Sequence, residues 1–230
     1  MKNKEKELGK GIGRAALAAV ALLVGASSGW AADAPALGSA SSFVILGGAG
    51  VTCTDSTITG AMGSLLTVVP TTTCNIIGPM QQGDAVAIQA FSDAALAYLE
   101  VAAMPCPADA ERNLSGDLGG KVLPPGLYCI SGVGLLASQL TLDGPSDGVW
   151  IFKASTSLTP INGSVVMAGG GQARNVYWHT GTAVSLDATR FLGTILAGTA
   201  VTFTGVGSSL DGRALAKTAV TATGASISGN

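Results

Sequence analysis

The side chains with chemistry to offer in this 230-residue sequence are four cysteines, one histidine and a scatter of aspartates. Their spacing decides what that chemistry could be. A zinc site needs ligands in close pairs, yet no two of Cys53, Cys74, Cys106 and Cys129 stand in a C-x-x-C arrangement, and His179 is far from all four in sequence. Disulfides suit them better. The sequence admits three pairings. Cys53 with Cys74 and Cys106 with Cys129 is favoured, each pair closing a loop of about twenty residues and contributing on the order of 3 kcal/mol. A hydrolytic triad would have to recruit His179, which follows Trp178 in an apolar strand and fits a hydrogen-bonded structural role. The one G-x-S-x-G match, Gly25 to Gly29, falls in the leader. Paired carboxylates could cleave a glycan, and Asp143, Asp147, Asp187 and Asp211 are the available acids. Asp211, however, sits beside Arg213 in Leu-Asp-Gly-Arg, where an ion pair or an Asx-turn accounts for it, and Asp117 also reads as a turn residue. Gly120-Lys121 is followed by Val122 and Gly169-Gly-Gly171 opens no helix, so nothing cradles a nucleotide. A non-enzymatic protein without a cofactor is expected.

Composition points to how the chain is used. Met1 to Ala32 reads as a signal peptide: basic residues Lys2, Lys4, Lys6, Lys10 and Arg14, an apolar run Ala15 to Gly25, then small residues at Ala31, Ala32 and Ala34. Export to the periplasm or beyond follows, with residues 33–230 forming one domain. The leader holds 5 of the 12 basic and 2 of the 14 acidic residues, leaving 7 against 12. A mildly acidic domain without a basic cluster is a poor partner for nucleic acid.

The elements must be mostly β. Only 11% of residues are charged, and 33 glycines with abundant Ser and Thr favour short strands joined by tight turns. Phe43 to Leu46 is a first strand ending in Gly47-Gly48 and resuming at Val51-Thr52. One helix is expected from Asp84, its N-cap, to about Ala103, with Ala87, Phe91, Ala94, Tyr98 and Val101 on the inner face and Gln89, Ser92, Asp93 and Glu100 outside. Pro105 and Pro107 stop it. Beyond Lys121 the chain repeats: Thr182-Ala-Val-Ser185, Thr199-Ala-Val-Thr202 and Thr218-Ala-Val-Thr221, preceded by looser copies at Ser138 to Thr141 and Thr156 to Thr159. Between them fall Gly148 to Phe152, Asn175 to Trp178, Phe191 to Ile195 and Leu210 to Ala214. Two interleaved sets with periods near 20 are the mark of a solenoid whose turns stack about 4.8 Å apart, so the helix would lie along roughly six of them.

Alternation assigns the sides. Leu140, Leu142, Leu158, Val184, Leu186, Val201, Phe203, Val220 and Ala222 point inward. Outward are Thr141, Asp143, Ser157, Thr159, Ala183, Ser185, Asp187, Ala200, Thr202, Thr204, Ala219, Thr221 and Thr223. With Thr182, Thr199 and Thr218 they form a ladder of short hydroxyl side chains. Thr presents a methyl and a hydroxyl in one rotamer-restricted side chain. A rigid array of them can hold ordered water in a lattice matching ice, a surface disturbed only by the carboxylates of Asp143 and Asp187. A glycan or a protein surface is the alternative partner for such a face; aromatics, which would favour a glycan, are absent from the ladder. A monomer suffices for either.

Several segments carry a further resemblance: Leu37 to Leu46, Leu114 to Gly120, Leu123 to Cys129, Val149 to Phe152, Asn175 to Trp178 and Leu210 to Ala216. Together they resemble the microbial ice-binding protein family over Leu37 to Ser228. The resemblance implies a triangular, discontinuous β-solenoid assembled from both ends of the chain, with a long helix packed alongside. It also implies T-A/G-x-T/N motifs on the ice-binding sheet, which Thr199 to Thr202 and Thr218 to Thr221 match and Thr182 to Ser185 leaves at its last position. Leu65 to Met80 looks like a variable capping segment.

Overall fold

The computed structural model describes residues 32–229; the expected signal peptide, save its last residue Ala32, lies outside them. All named strands pair in parallel, and following the pairs around the molecule gives three faces of a triangular solenoid. The helix-bearing face climbs from Asn113–Asp117 through Gly126–Leu136, Trp150–Ala154, Val176–Thr180, Arg190–Ala197 and Ser208–Ala216. It does not stop at the chain's C-terminal coil. Phe43–Gly47 pairs onto Ser208–Ala216, with Ile45 opposite Ala214, and Ala61–Ser64 and Met80–Gln82 complete the stack. The N-terminal coils therefore sit on top of the C-terminal ones.

Having finished at the top, the chain must return to the bottom to begin the remaining coils, and the helix Ala85–Ala103 makes most of that journey, residues 104–112 completing it. Its 19 residues span about 28 Å, the height of roughly six inter-coil steps. Asp84 caps it, Oδ1 accepting from the Ala87 N–H at 2.8 Å. At the other end the Lys153 ammonium donates to the carbonyls of Ala102 (2.6 Å) and Met104 (2.8 Å), satisfying acceptors the helix leaves open. Ala87, Ala90, Ala94, Ala97 and Val101 form the buried row. Small residues let the helix lie close to the sheet, while Phe91 and Tyr98 only flank the contact, half-buried. The expected polar outer face is interrupted by Val86, Ile88, Leu96 and Leu99, all more than half exposed.

Inside the triangle the core is a column. Tyr128, Phe152, Trp178 and Phe191 stack on successive coils with ring centroids 5.3, 4.1 and 4.7 Å apart. Both buried indoles find backbone acceptors, Trp150 at Leu123 (3.0 Å) and Trp178 at Leu192 (2.9 Å). Corners demand glycine: a Cβ on Gly212 (φ 153°) would stand 2.0 Å from the carbonyl oxygen of Gly193 one coil below. Solenoid ends expose strand edges, and here the segment expected to cap the top does so. Pro70 and Pro79 lack N–H groups to offer, and Gln82 Oε1 accepts from the Val68 N–H at 3.0 Å. The Cys53–Cys74 disulfide fastens this top coil to the one below, and Cys106–Cys129 fastens the chain leaving the helix to the bottom of the stack.

Replacing Cys53 and Cys74 together by Ala should cost about 2–4 kcal/mol in urea denaturation. Hydrogen exchange should accelerate first over residues 67–77 and leave 184–204 protected.

Candidate functional site

On the second face the strands are Leu158–Pro160, Val184–Asp187, Val201–Thr204, Ala219–Thr223, Gly50–Thr54 and Thr67–Pro70, stacked in that order above the end of Gly126–Leu136. The alternation read from sequence holds throughout. Leu158, Val184, Leu186, Val201, Phe203, Val220 and Ala222 are buried, whereas Thr159, Ser185, Thr202, Thr204, Thr221 and Thr223 are half-exposed or exposed.

Register aligns the outward residues into columns. The middle column is Thr159, Ser185, Thr202, Thr221 and Thr52, bounded below by Leu135 and above by Val69. At the corner leading into the face, Thr182, Thr199 and Thr218 each donate their N–H to the preceding member, from Thr156 upward, at 2.9, 3.1 and 2.9 Å, and Ala49 continues the line. Ala183, Ala200, Ala219 and Gly50 lie between the two columns and keep the surface low. A third column along the far edge holds Asp187, Thr204, Thr223 and Thr54. Columns repeat about every 4.8 Å along the stack, and outward residues about every 6.6 Å along a strand. Among the described residues Asp187 is the one charged member of these columns. Its carboxylate is turned to the edge, where Oδ1 would meet a Cβ on Gly205 at 2.3 Å.

Two expectations change. Thr141 does not belong to this face: it pairs with Val122 and Val166 on the third face, and Asp143 lies there opposite Ala168. The cause is the strand Gly126–Leu136, whose 11 residues turn a corner, so that its station on the threonine face is Gly134 to Leu136. The hydroxyl-x-Leu-Thr pattern at Ser138 recurs one face later. Conversely, Thr52 and Thr54 extend the ladder although they stand far from the repeats in sequence. Their Val51-Thr-Cys-Thr54 alternation is the signal that could have found them.

The chemistry-bearing residues are dispersed. Asp187 is on the threonine face, while Asp143 and Asp211 are on the third face, three coils and so about 14 Å apart, beyond the separation of a glycosidase pair. Asp117 accepts N–H bonds from Gly119 (2.8 Å) and Ala137 (3.1 Å), a turn residue as expected, and these bonds hold its carboxyl below the usual range. Arg213 is occupied at the N-terminal segment, its Nε donating to the Ser41 carbonyl at 2.8 Å. His179 is buried, but neither ring nitrogen has a hydrogen-bond partner among the described residues, contrary to expectation. It packs against the Tyr98 ring at 4.3 Å, and burial first, then Lys153 and Lys217, lower its pKa to about 4. All four cysteines are in the two disulfides, and no cluster of three metal-ligating side chains occurs among the described residues.

A family model described as Ice-binding-like matches residues 33–228. An ice-binding protein of Nostoc sp. is 39% identical over 197 residues, covering 81% of this chain and 71% of that protein. One of Flavobacterium frigoris is 34% identical over 214 residues, covering 86% and 77%. The crystal structure of an ice-binding protein from Antarctomyces psychrotrophicus superposes with a TM-score of 0.79 at 29% identity, covering 85% of this chain and 98% of that one.

Neighbouring positions on one strand should respond in opposite ways. Thr202→Val should change stability by less than about 0.5 kcal/mol, whereas Phe203→Ala should cost about 3–5 kcal/mol, both read from denaturant midpoints.

Proposed function

The chain belongs to the ice-binding-like family, and from that premise we propose that it adsorbs to ice through the threonine face. The observation that carries the reading is the unbroken run of the corner and middle columns over successive coils, Thr156–Thr159, Thr182–Ser185, Thr199–Thr202, Thr218–Thr221 and Ala49–Thr52. Its relatives from Nostoc and Flavobacterium frigoris are named ice-binding proteins.

The physics favours a solid, ordered ligand. Each outward Thr is anchored by inward neighbours such as Val201, Phe203 and Val220, which are buried to within 1%. A β-branched side chain on such a strand has little rotamer freedom left to lose, so adsorption immobilises almost nothing that was free before. Methyl groups and hydroxyls at regular spacings along both axes can order water into a layer continuous with a crystal. A carboxylate would hold its own hydration shell against that layer, and the one carboxylate of the columns is turned to the edge. Nothing in this action requires a bond to be made or broken. The two disulfides agree with export to an oxidising compartment, where ice would be met.

Residues 33–230 and the double variant Thr202→Tyr/Thr221→Tyr should be compared for thermal hysteresis and ice-crystal shaping. The wild type should shape crystals and the variant, folded by circular dichroism, should lose at least tenfold in hysteresis activity. A folded wild type that leaves ice crystals unshaped would overturn the reading.

A further inference from the structure

The corner where the helix-bearing face meets the threonine face is held by backbone hydrogen bonds from coil to coil, Gly181 to Ala154, Gly198 to Thr180 and Lys217 to Ala197, and has few side chains of its own. Its successive residues are Gly181, Gly198, Lys217 and Gly48, packed so closely that a Cβ on Gly198 would stand 2.2 Å from the Gly181 carbonyl oxygen. One residue further on, the exposed Thr182, Thr199 and Thr218 begin. The helix backs this corner with two aromatic side chains, Phe91 against Gly48 and Tyr98 beside Lys217. The Tyr98 ring meets the imidazole of His179 at 4.3 Å, and the Lys217 ammonium stands 3.7 Å from the ring centroid. Its hydroxyl donates to the Thr180 carbonyl at 3.3 Å, and Thr180 in turn donates its own hydroxyl to the Thr182 carbonyl at 3.0 Å. A chain of contacts thus runs from the helix to the first threonine column.

We propose that Tyr98, which meets both His179 and Lys217, is a positioning residue for the threonine face, and that His179 makes this clasp sensitive to protons. The second part of its role, steadying ice adsorption, rests on the reading given above.

His179 is 5% exposed and both of its ring nitrogens lack partners. The groups around it would not welcome a charge. Lys153 stands opposite it on the strand below, Lys217 lies against the same Tyr98 ring, the strand above offers Leu196, and the helix offers the Tyr98 phenol. The helix carboxylates face elsewhere, Asp93 to Ser39 and Glu100 to the Ala36 N–H. Protonated His179 would be a third cation with no anion to meet it. Its pKa, lowered to about 4 by burial and then by the two lysines, reports the same conflict. Free imidazole titrates near 6.5. The undocked helix therefore leaves His179 to take up a proton that the docked state excludes. Docking is at full strength above pH 6.5, weakens as pH falls, and levels off below about 4. From pH 7 to 5, where exposed carboxylates stay ionised, the loss is about 20-fold.

The test is hydrogen exchange of the amides of residues 96–104 in the whole protein, corrected for intrinsic rates, at pH 7 and pH 5, together with ice-growth inhibition at the same two values. The wild type should lose about 20-fold in protection there, and inhibition should fall with it. His179→Phe, which keeps a ring against Tyr98 and cannot titrate, should match the wild type at pH 7 and be flat to pH 5. Unchanged wild-type protection between the two values overturns the clasp, as does a His179→Phe variant with the same pH dependence. Should that variant fail to fold, wild-type exchange alone decides. Loss of protection with unaltered inhibition removes the link to the threonine face. Absence of inhibition at pH 7 counts against ice adsorption itself and leaves the exchange result standing.

Discussion

Three rows of parallel backbone hydrogen bonds join the end of the chain to its beginning, and the rest of the molecule is arranged around that seam. Ala214 lies opposite Ile45, Val220 opposite Val51 and Ile227 opposite Ile58, one pair on each face. The seam is non-covalent, yet it must hold the same register as every coil below it, because a slip of one residue would exchange inside for outside on all three faces. Valine and isoleucine supply that register on five of the six positions. Once the N-terminal coils are placed on top, the chain has to travel back to the bottom, and the helix covers about three-quarters of that height.

The same register makes the threonine face what it is. Period-two alternation alone would give each strand an inner and an outer side; only alignment between coils turns the outer residues into columns. The third face has the same backbone and a different surface. There the corresponding line runs Val122, Thr141, Val166, the buried Leu192, Asp211 and Ser228, with apolar and charged members breaking any regular array of hydroxyls. The helix-bearing face is covered. Of three geometrically similar sheets, one is therefore both open and uniform, and that difference lies in side chains rather than in fold.

What could be read from sequence was what is local. Inward Val201 and Phe203 against outward Thr202 and Thr204, the Asp84 cap, and the stop before Pro105 depend on neighbours a few residues away, and the structure agrees with each. The disulfide pairing also agrees, each bond closing within a short stretch of chain. Assignments that depend on which coil lies beside which were less legible. Thr141 has the right pattern on the wrong face because one long strand turns a corner without any signal in its hydroxyls. Thr52 and Thr54 complete the ladder from the other end of the chain. On the helix, the flat sheet selects the alanines Ala90 and Ala97 over the bulky residues that hydropathy favours, and so leaves Leu96 and Leu99 outside. His179 was expected to be hydrogen-bonded, and it is an aromatic ring that it meets.

The central claim is that one continuous surface, built from both ends of the chain, is what meets ice. It is tested most directly by partitioning into a slowly growing ice crystal, comparing Thr52→Tyr with Thr141→Tyr at matched stability. Thr52→Tyr should be largely excluded from the ice and Thr141→Tyr taken up like the wild type. Equal uptake of the two, or exclusion of Thr141→Tyr alone, would contradict the account.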